Sequence, residues 1–460
     1  GLSYENQYGS GKGETTDSYQ KIMENGVQTA FVSEETNIDD INSPMHNANA
    51  YYVGKIGKLD VDFNATYFWK KKGRTMSIKE NSLDIESRDV HTRSRLHSDM
   101  AAAKLILSYP VWKGAISVGT EFTSSRIRGE YANAEQYVDV SNTKIEERNI
   151  AGFAEYGLKF GGFSVNAGVR YENVKSDYYL FGQWQAEPSR RYSDWFPSAS
   201  MSWNSGKWGL QLAYACKTQR PSYSSLRDEV QYDNRYTYEG GNPYLRPCII
   251  NNVDFNAVYD WLSFNAGYNY IDNPMVWVAT LYQGKDIVFL RNINFNHSQD
   301  IYASIVASPR FGWYNPMAEI DYSQSFLHTD GFDINKPSNR PCFNFRLNNR
   351  FNITRSLKAF LNMRYKTSQL NDLQYTKPFA RVDVKLTKSY LNDALEIGVY
   401  ANDLFKTDKE RWTMYGSHTI MTKDCYGYGR CVGMTVSYNF NTAKSKYKGT
   451  GAGNAEKRRL

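Results

Sequence analysis

The sequence predicts an all-β protein, a transmembrane antiparallel up-and-down β-barrel, from three observations. Apolar and polar residues alternate along many segments, and the connections between these segments are alternately short and long. Aromatic residues make up 15% of the 460 residues, although the mean hydropathy is only −0.62. Such a composition suits strands that are apolar on one face only. No stretch offers the roughly 18 consecutive apolar residues of a membrane helix, which excludes helical membrane proteins.

The alternation has a period of two residues, which is the period of a β-strand. In the segment GFSVNAGVRYE, residues 162–172, phenylalanine, valine, alanine and tyrosine take one face, and serine, asparagine, glycine, arginine and glutamate take the other. No long window shows a competing helical period. The same alternation recurs in residues 61–69, 116–122, 262–270, 357–365, 395–401 and 434–440.

Two kinds of connection join these segments. Long polar excursions, such as residues 78–94 and 226–247, separate pairs of strands that short turns join. A meander with tight turns at one end and long loops at the other is typical of outer-membrane barrels. Counting the hairpins predicts roughly 17–19 strands. The short turns are expected near residues 57–58, 110–113, 161–162, 204–207, 260–261, 310–313, 354–355 and 390–393.

A large soluble β-sandwich, propeller or solenoid is the alternative fold, since its strands also alternate. A dry core would not tolerate the unpaired charges that fall on the polar face of these strands, whereas a wet lumen would. We therefore favour the membrane barrel and expect five side chains to face the lumen: Arg170, Glu172, Arg346, Arg350 and Arg364. Tyr171, Leu347 and Met363 are expected on the lipid side. Aromatic residues near the turns would form an interfacial girdle: Trp69, Tyr109, Trp112, Trp195, Trp203, Trp208, Trp261 and Tyr365.

The formal net charge of +7 owes much to the end of the chain. We divide the chain into a barrel, residues 1–441, and a basic tail, residues 442–460, which is expected to be solvated. The five cysteines form no CxxC pair, so no metal site is predicted and no cofactor is expected. Cys425 and Cys431 could form a disulfide, although free thiols are the simpler expectation.

Several motifs resemble a known family when they are taken in order. They are AGVRYE (residues 167–172), DWFPSASMSW (194–203), TQRPSYSSL (218–226), EGGNPYLRP (239–247) and NDLFKT (402–407). They resemble TonB-dependent receptors, and more narrowly the Bacteroidetes-type outer-membrane β-barrel family. The final segment, SYNFNTAKSKYKGTGAGNAEKRRL, is similar to the C-terminal end of that family.

The resemblance implies a 22-stranded barrel in the outer membrane of a Gram-negative bacterium, with the C-terminus in the periplasm. It also implies a plug domain and a TonB-type energy-coupling protein as partners, beside the membrane lipid. Neither the plug nor the coupling segment can be found in this sequence, so we expect residue 1 to fall within the barrel of a longer protein. Tyr438 and Phe440, near the end of the last predicted strand, would serve as the assembly signal.

The function implied is a receptor that takes up a scarce solute through a plugged barrel. A small solute, a chelate, a glycan or a peptide would suit aromatic residues on long loops, although loop packing explains such residues equally well. We expect no nucleic-acid partner. The candidate ligand-binding residues are Tyr178, Tyr179, Trp184, Tyr232, Tyr236, Tyr238, Trp412 and Tyr415.

Catalysis has little support in the sequence, so we predict that the chain is not an enzyme. Neither HExxH nor a nucleophile elbow occurs, and GSGKGE, residues 9–14, lacks the spacing of a phosphate-binding loop. A passive porin and a barrel for adhesion or structure are the remaining alternatives.

Overall fold

The computed structural model describes residues 1–329, 334, 339–417, 419–426, 429–440 and 449–460. Most of these residues lie in β-strands, and the described part contains one short helix, α1 (Asn454–Lys457). No helix in the described ranges is long and apolar enough to span a bilayer. The strands are β1 (Leu2–Glu24), β2 (Val27–Ile56), β3 (Leu59–Ser82), β4 (Arg88–Val111), β5 (Gly114–Asn133), β6 (Ser141–Phe160), β7 (Phe163–Leu180), β8 (Gln183–Ser205), β9 (Trp208–Gln219), β10 (Val230–Asn234), β11 (Thr237–Gly240), β12 (Cys248–Tyr259), β13 (Leu262–Asp272), β14 (Met275–Leu281), β15 (Val288–Asn294), β16 (His297–Ala307), β17 (Tyr314–Leu327), β18 (Cys342–Asn352), β19 (Leu357–Lys366), β20 (Gln369–Asn371), β21 (Gln374–Thr376), β22 (Phe379–Tyr390), β23 (Leu395–Asn402), β24 (Glu410–Tyr415), β25 (Ile420–Cys425) and β26 (Cys431–Tyr438).

Eighteen strands form one sheet, in which each strand pairs antiparallel with the next sheet strand along the chain. The order is β1 to β9, then β12, β13, β16 to β19, β22, β23 and β26. Within the described residues, β1 and β26 are not paired with each other, so the sheet is open between its first and last strands. The predicted all-β, up-and-down architecture with 17–19 strands is confirmed.

The short connections that the sequence predicted lie together at one edge of the sheet. They comprise residues 57–58, 112–113, 161–162, 206–207, 260–261, 308–313, 353–356 and 391–394. Gly57, Gly161 and Gly206 adopt positive φ in three of the two-residue turns, a conformation that glycine takes without steric cost. Because β26 runs toward this edge, the last strand ends beside the short turns. The opposite edge carries the long loops and also two two-residue turns, residues 25–26 between β1 and β2 and residues 181–182 between β7 and β8.

The strands of the main sheet fall into a long group and a short group. β1 to β8 contain 18 to 30 residues each, whereas the other strands of the main sheet contain 8 to 14. A bilayer needs about 9–11 residues of a tilted strand. The first eight strands therefore extend well beyond the lipid-facing band at the edge that carries the long loops.

The long loops contain two small sheets of four strands each. One consists of β10, β11, β15 and β14 and includes a parallel pairing of β11 with β15, and the other consists of β20, β21, β24 and β25. The loops fold back over one face of the main sheet, which we call the inner face. Two hydrophobic clusters join the loops to β3–β7 there. The first contains Ile78, Val90, Tyr131, Val138, Tyr232, Tyr238 and Phe289, and the second contains Ile127, Ile145, Tyr178, Tyr223, Leu226 and Leu245.

The end of the chain also packs on the inner face. Ala452 is completely buried and Glu456 is 3% exposed, although both belong to the segment that was expected to be a solvated tail. The expectation is wrong for residues 451–453 and Glu456, which are buried, whereas Thr450, Asn454, Ala455 and Arg458 are exposed. Gly453 lets this part of the backbone approach the sheet closely. The charged side chains of the segment, Glu456 and Arg459, form ion pairs with the buried side chains of Arg220 and Glu147. Residues 442–448 of the predicted tail lie outside the described residues.

Arginine substitutions at two adjacent positions of β16 test the assignment of the faces. Ile305 lies outside, between Phe264 and Ile320, whereas Ser304 lies inside and donates a hydrogen bond to Asp321 (Oγ to Oδ1, 2.8 Å). Ile305→Arg should destabilise the assembled barrel by roughly 2–4 kcal/mol, the range for arginine near the bilayer midplane. Ser304→Arg should be tolerated beside Asp321. Heat-modifiable gel mobility would measure assembly, and equal tolerance at both positions would contradict the assignment.

Candidate functional site

The charged residues singled out from the sequence share the inner face. In the first half of the sheet, Glu172, Glu121 and Asn64 lie on one line of directly opposite residues that crosses from β7 to β3, so their side chains share a face. In the second half of the sheet, Arg346 lies directly opposite both Glu319 and Arg364. The adjacent residues Leu347 and Met363 are partners on the outer face, where both are exposed. The sheet is therefore polar toward the loops and apolar on its other side.

A network of ion pairs crosses the inner face at β5 and β7. Arg170 donates to Glu172 (Nε to Oε1, 2.6 Å) and to Glu121 (Nη2 to Oε2, 3.1 Å). Glu172 also accepts a hydrogen bond from Arg220, which begins the long loop after β9. Sequence reasoning missed Glu121 and Arg220 as members of this network. The alternation of β5 and the TQRPSY motif were the signals that could have found them.

The three other predicted lumen residues do not join this network. Arg346 pairs with Glu319 (Nη2 to Oε1, 2.6 Å) and Asp321 (Nη2 to Oδ2, 2.7 Å) on β17. Arg364 donates to Asn344 and Arg350 to Asn352, in each case from Nε to Oδ1 at 3.0 Å. The inner face thus carries separate charged groups on its two halves.

Two cavities lie between the inner face and the loops. The larger, of about 1000 Å³, is lined by charged side chains of both signs, including Glu121, Arg170, Glu172, Lys217 and Arg220. The smaller, of about 400 Å³, is lined by Asp300, Tyr302 and Arg340 among others. Within the described residues, no group of three or more histidine, cysteine or acidic side chains could hold a metal ion. The cavities are suited to binding a polar solute.

Three predicted ligand-binding residues are buried in the loop clusters. Tyr232 is 1% exposed and donates its hydroxyl to Glu80 (2.8 Å), and the Tyr178 hydroxyl accepts a hydrogen bond from the backbone N–H of Asp228 (3.0 Å). The Tyr238 ring lies against that of Tyr232 at an angle of 41°, with 5.5 Å between ring centroids. A solute cannot reach these rings in this conformation, so assigning them to ligand binding is corrected to a role in packing the loops.

The other predicted aromatics occupy two places. Tyr179 and Trp184 are cross-strand partners on the outer face of the β7–β8 hairpin, away from the cavities, and the ammonium of Lys144 lies 3.7 Å from the Tyr179 ring centroid. Their expected contact with a captured solute is therefore not supported at the cavities. Tyr236, Trp412 and Tyr415 are half-buried in the loop cover. None of these three is among the side chains that line the two cavities.

A buried carboxylate anchors the loop cover to the extended strands. Glu80 on β3 is 0% exposed and accepts hydrogen bonds from Tyr232 and from both the backbone N–H (2.8 Å) and Nε (2.6 Å) of Arg235. The Arg235 side chain is itself buried. A buried charge is tolerated only when it is paired, so this contact fixes the position of the β10–β11 hairpin. Nothing in the sequence distinguished Glu80 from its exposed neighbours.

A second buried carboxyl group lies near Glu80, beyond the lipid-facing band. Glu34 accepts hydrogen bonds from Thr36 (Oγ1 to Oε1, 2.8 Å) and Gln20 (Nε2 to Oε2, 2.9 Å). Burial raises the pKa of Glu34 to about 7, and the negative charges of Asp233 and Glu80 act in the same direction. Glu34 is therefore partly protonated at neutral pH.

The fold and the charged inner face can be compared with known proteins. A family model described as "Outer membrane protein beta-barrel family" matches residues 54–438. The chain belongs to this outer-membrane β-barrel family. The match spans most of the main sheet, from the end of β2 to the end of β26. Membership places the protein in the outer membrane.

Solved structures of two transporters and an import receptor have a similar fold. The FrpB iron transporter from Neisseria meningitidis matches with a TM-score of 0.53 and 13% identity, over 95% of this chain and 82% of that one. The copper transporter OprC matches with a TM-score of 0.56 and 11% identity, over 95% and 80%. The ferric-catecholate import receptor Fiu from E. coli matches with a TM-score of 0.54 and 11% identity, over 95% and 81%. At these identities the similarity shows the fold alone. No curated protein sequence matches the chain.

Removing the charge of Glu80 should release the loop cover of this family member. Glu80→Gln leaves the buried guanidinium of Arg235 without its counter-charge, which costs about 3–5 kcal/mol. We expect limited proteolysis to cut residues 226–247 much faster in this variant. Glu130→Gln is the matched control, because Glu130 is exposed and its pair with Arg95 (3.7 Å) is worth only about 0–1 kcal/mol. Equal cleavage of the two variants would show that Glu80 does not anchor the loops.

The raised pKa of Glu34 predicts a pH-dependent stability. The carboxyl group ionises near pH 4.5 when unfolded and near pH 7 when folded, so the folded state binds more protons between these values. Stability should therefore fall as the pH rises from about 4.5 to about 7, by at most about 3 kcal/mol. Thermal unfolding in detergent between pH 5 and pH 8 would measure this. Glu34→Gln should flatten the profile, whereas Glu35→Gln, at the exposed neighbouring position, should preserve it.

Proposed function

We propose that this chain is the barrel of an outer-membrane receptor that imports a scarce solute, with a plug domain closing the lumen and a TonB-type protein supplying energy. The observation that carries the proposal is the charged cavity of about 1000 Å³ under an inward-folded loop cover. A solute held there would contact loop residues, the C-terminal residues Ala455, Arg458 and Arg459, and side chains of both charges. Family membership and the fold shared with iron, copper and ferric-catecholate transporters support a role in import.

The solute class proposed is a small polar molecule, with metal chelates as the first candidates. Charged side chains of both signs would bind a chelate through its carboxylate or hydroxyl groups and balance its net charge. Tyr236, Trp412 and Tyr415 are the proposed aromatic contacts, since they lie in the loop cover. Glycans and peptides share this polar chemistry and are to be tested beside the chelates.

The proposed orientation places the long loops outside the cell and the short turns, with the end of β26, in the periplasm. Outer-membrane barrels have short periplasmic turns and longer extracellular loops, which supports this orientation. The exposed outer-face residues would contact lipid. Tyr438 at the end of β26 and Phe440 two residues beyond it, both exposed, would be recognised during assembly. An epitope inserted at Gly284, which lies in a long loop at positive φ, should be accessible on intact cells. One inserted at Gly161 should not be.

Reversing one charge in the cavity tests the proposed import function. Lys217 lines the cavity and, among the described residues, forms no ion pair, so Lys217→Glu changes the cavity charge without orphaning a partner. Uptake of an anionic chelate by the full-length protein should fall roughly tenfold and uptake of a cationic one should rise, because clefts of one sign concentrate ligands of the other. Lys58→Glu, at an exposed short turn, is the matched control.

The same experiment separates the proposal from a passive channel. Energy-coupled import should stop when an uncoupler collapses the proton-motive force, and the full-length protein should show no steady conductance in a planar bilayer. Uptake that persists with the uncoupler, together with steady ohmic conductance, would replace the receptor by a porin-like channel. Chelate uptake that is unchanged in Lys217→Glu would remove this cavity from the transport path.

A further inference from the structure

The inner face holds the backbone of the chain's own C-terminal segment, residues 449–460. Four successive backbone N–H groups donate to side chains of the sheet. Thr450 and Gly451 donate to Asn64 Oδ1 (3.0 and 3.1 Å), Ala452 donates to Thr66 Oγ1 (3.0 Å), and Gly453 donates to Glu121 Oε1 (3.0 Å). Main-chain hydrogen bonds of this kind contribute affinity when a peptide binds in an extended form.

The space between the segment and the sheet admits only a glycine at position 453. Gly453 has φ = 65°, and a Cβ added there would lie 2.8 Å from Ala102 Cβ and 3.0 Å from Met100 Cε. A larger residue would be disfavoured both by its backbone conformation and by the space. The contact between segment and sheet is therefore close enough to depend on sequence.

Two charged side chains of the segment are bound in buried ion pairs. Glu456 accepts from Arg220 (Nη1 to Oε1, 3.3 Å) and from Asn149 (Nδ2 to Oε1, 3.3 Å). Arg459 donates to Glu147 (Nη2 to Oε2, 3.1 Å), and all four charged side chains are less than 10% exposed. Arg459 lies in the turn that follows α1, in which its N–H donates to the backbone oxygen of Glu456 (3.0 Å), so residues 456 and 459 lie close together.

The segment also contacts the base of the long loop between β9 and β12. Arg459 donates from Nε to the backbone oxygen of Pro221 (3.0 Å), and its guanidinium lies 4.2 Å from the centroid of the Tyr223 ring. The hydroxyl of Tyr223 donates to the same carboxylate, Glu147 (3.1 Å). Pro221 and Tyr223 begin the loop that carries Tyr232 and Arg235 into the cover. The end of the chain is thus connected to the loops above the cavity.

We propose that the inner face between β3 and β9 is a peptide-binding site, and that its occupant is the chain's own residues 449–460, recognised through Glu456 and Arg459. The segment enters the lumen and fastens the base of the loop of residues 220–247 to β6. The site shares Glu121 and Arg220 with the charged cavity, which Ala455, Arg458 and Arg459 of the segment also line. The two proposals are nevertheless tested apart, because a cross-link reports the position of the segment and uptake reports import.

Disulfide trapping in the full chain tests the occupancy of the site. The Asn64 side chain contacts Thr450 (Nδ2 to Oγ1, 3.2 Å), so Asn64→Cys with Thr450→Cys should cross-link on mild oxidation once the five native cysteines are replaced. The control is Phe63→Cys with Thr450→Cys, because position 63 lies on the outer face of the same strand and should not cross-link. Mass spectrometry identifies the linked peptides, and heat-modifiable mobility shows that each variant has assembled. An assembled 64/450 variant without a cross-link, or equal linking of the control, would overturn the proposal.

Two adjacent arginines then test the recognition. Arg459→Ala should slow formation of the 64/450 cross-link at least about tenfold, since it removes a buried partner of Glu147. Arg458→Ala should leave the rate within about twofold, because Arg458 is exposed and, among the described residues, donates to the backbone of Asn454 and to no carboxylate. Exchanging the charges, with Glu147→Arg and Arg459→Glu together, should restore the rate that Glu147→Arg alone abolishes. Equal effects of the two alanine variants, or no recovery in the exchange, would overturn the role of Arg459.

Discussion

The antiparallel ladder of backbone hydrogen bonds is the constraint on which the rest of this structure depends. A backbone in lipid has no water to pair with, so each strand must satisfy its N–H and C=O groups on its neighbours. The ladder in turn fixes the face of every side chain, because a shift of one residue would turn the whole strand over. Arg346 and Leu347 are adjacent in sequence, yet one reaches Glu319 on the inner face and the other is exposed outside.

The inner face is organised by paired charges more than by hydrophobic burial. Glu80 with Arg235, Glu172 with Arg220, and Glu147 with Arg459 each join the sheet to a segment that folds onto it. Each partner is costly to bury alone, so the pairs specify which segment lies where. The hydrophobic clusters lie in the same region, above the lipid-facing band, where β3 to β7 extend past the membrane. Loops and chain end thus share one supporting wall.

Particular residues show how far sequence reasoning reached. The short turns and the strand count followed from local alternation, because a strand's period and a tight turn are properties of a few neighbouring residues. The burial of the loop tyrosines could not be predicted from such local patterns. Tyr232 and Tyr236 are four residues apart in one polar loop, yet the first is buried against Glu80 and the second is half-buried in the cover. The same holds for Arg458 and Arg459, of which only the second reaches Glu147.

The sequence by itself determined the strands, their order as a meander, the edge that carries the short turns, and the polar or apolar character of each face. These depend on contacts between residues that are adjacent in the chain or in neighbouring hairpins. Only the tertiary structure decided which loops fold inward, which aromatic rings are buried and where residues 449–460 lie. Those positions depend on contacts across more than 300 residues of chain, such as Asn64 with Thr450, which no local pattern encodes.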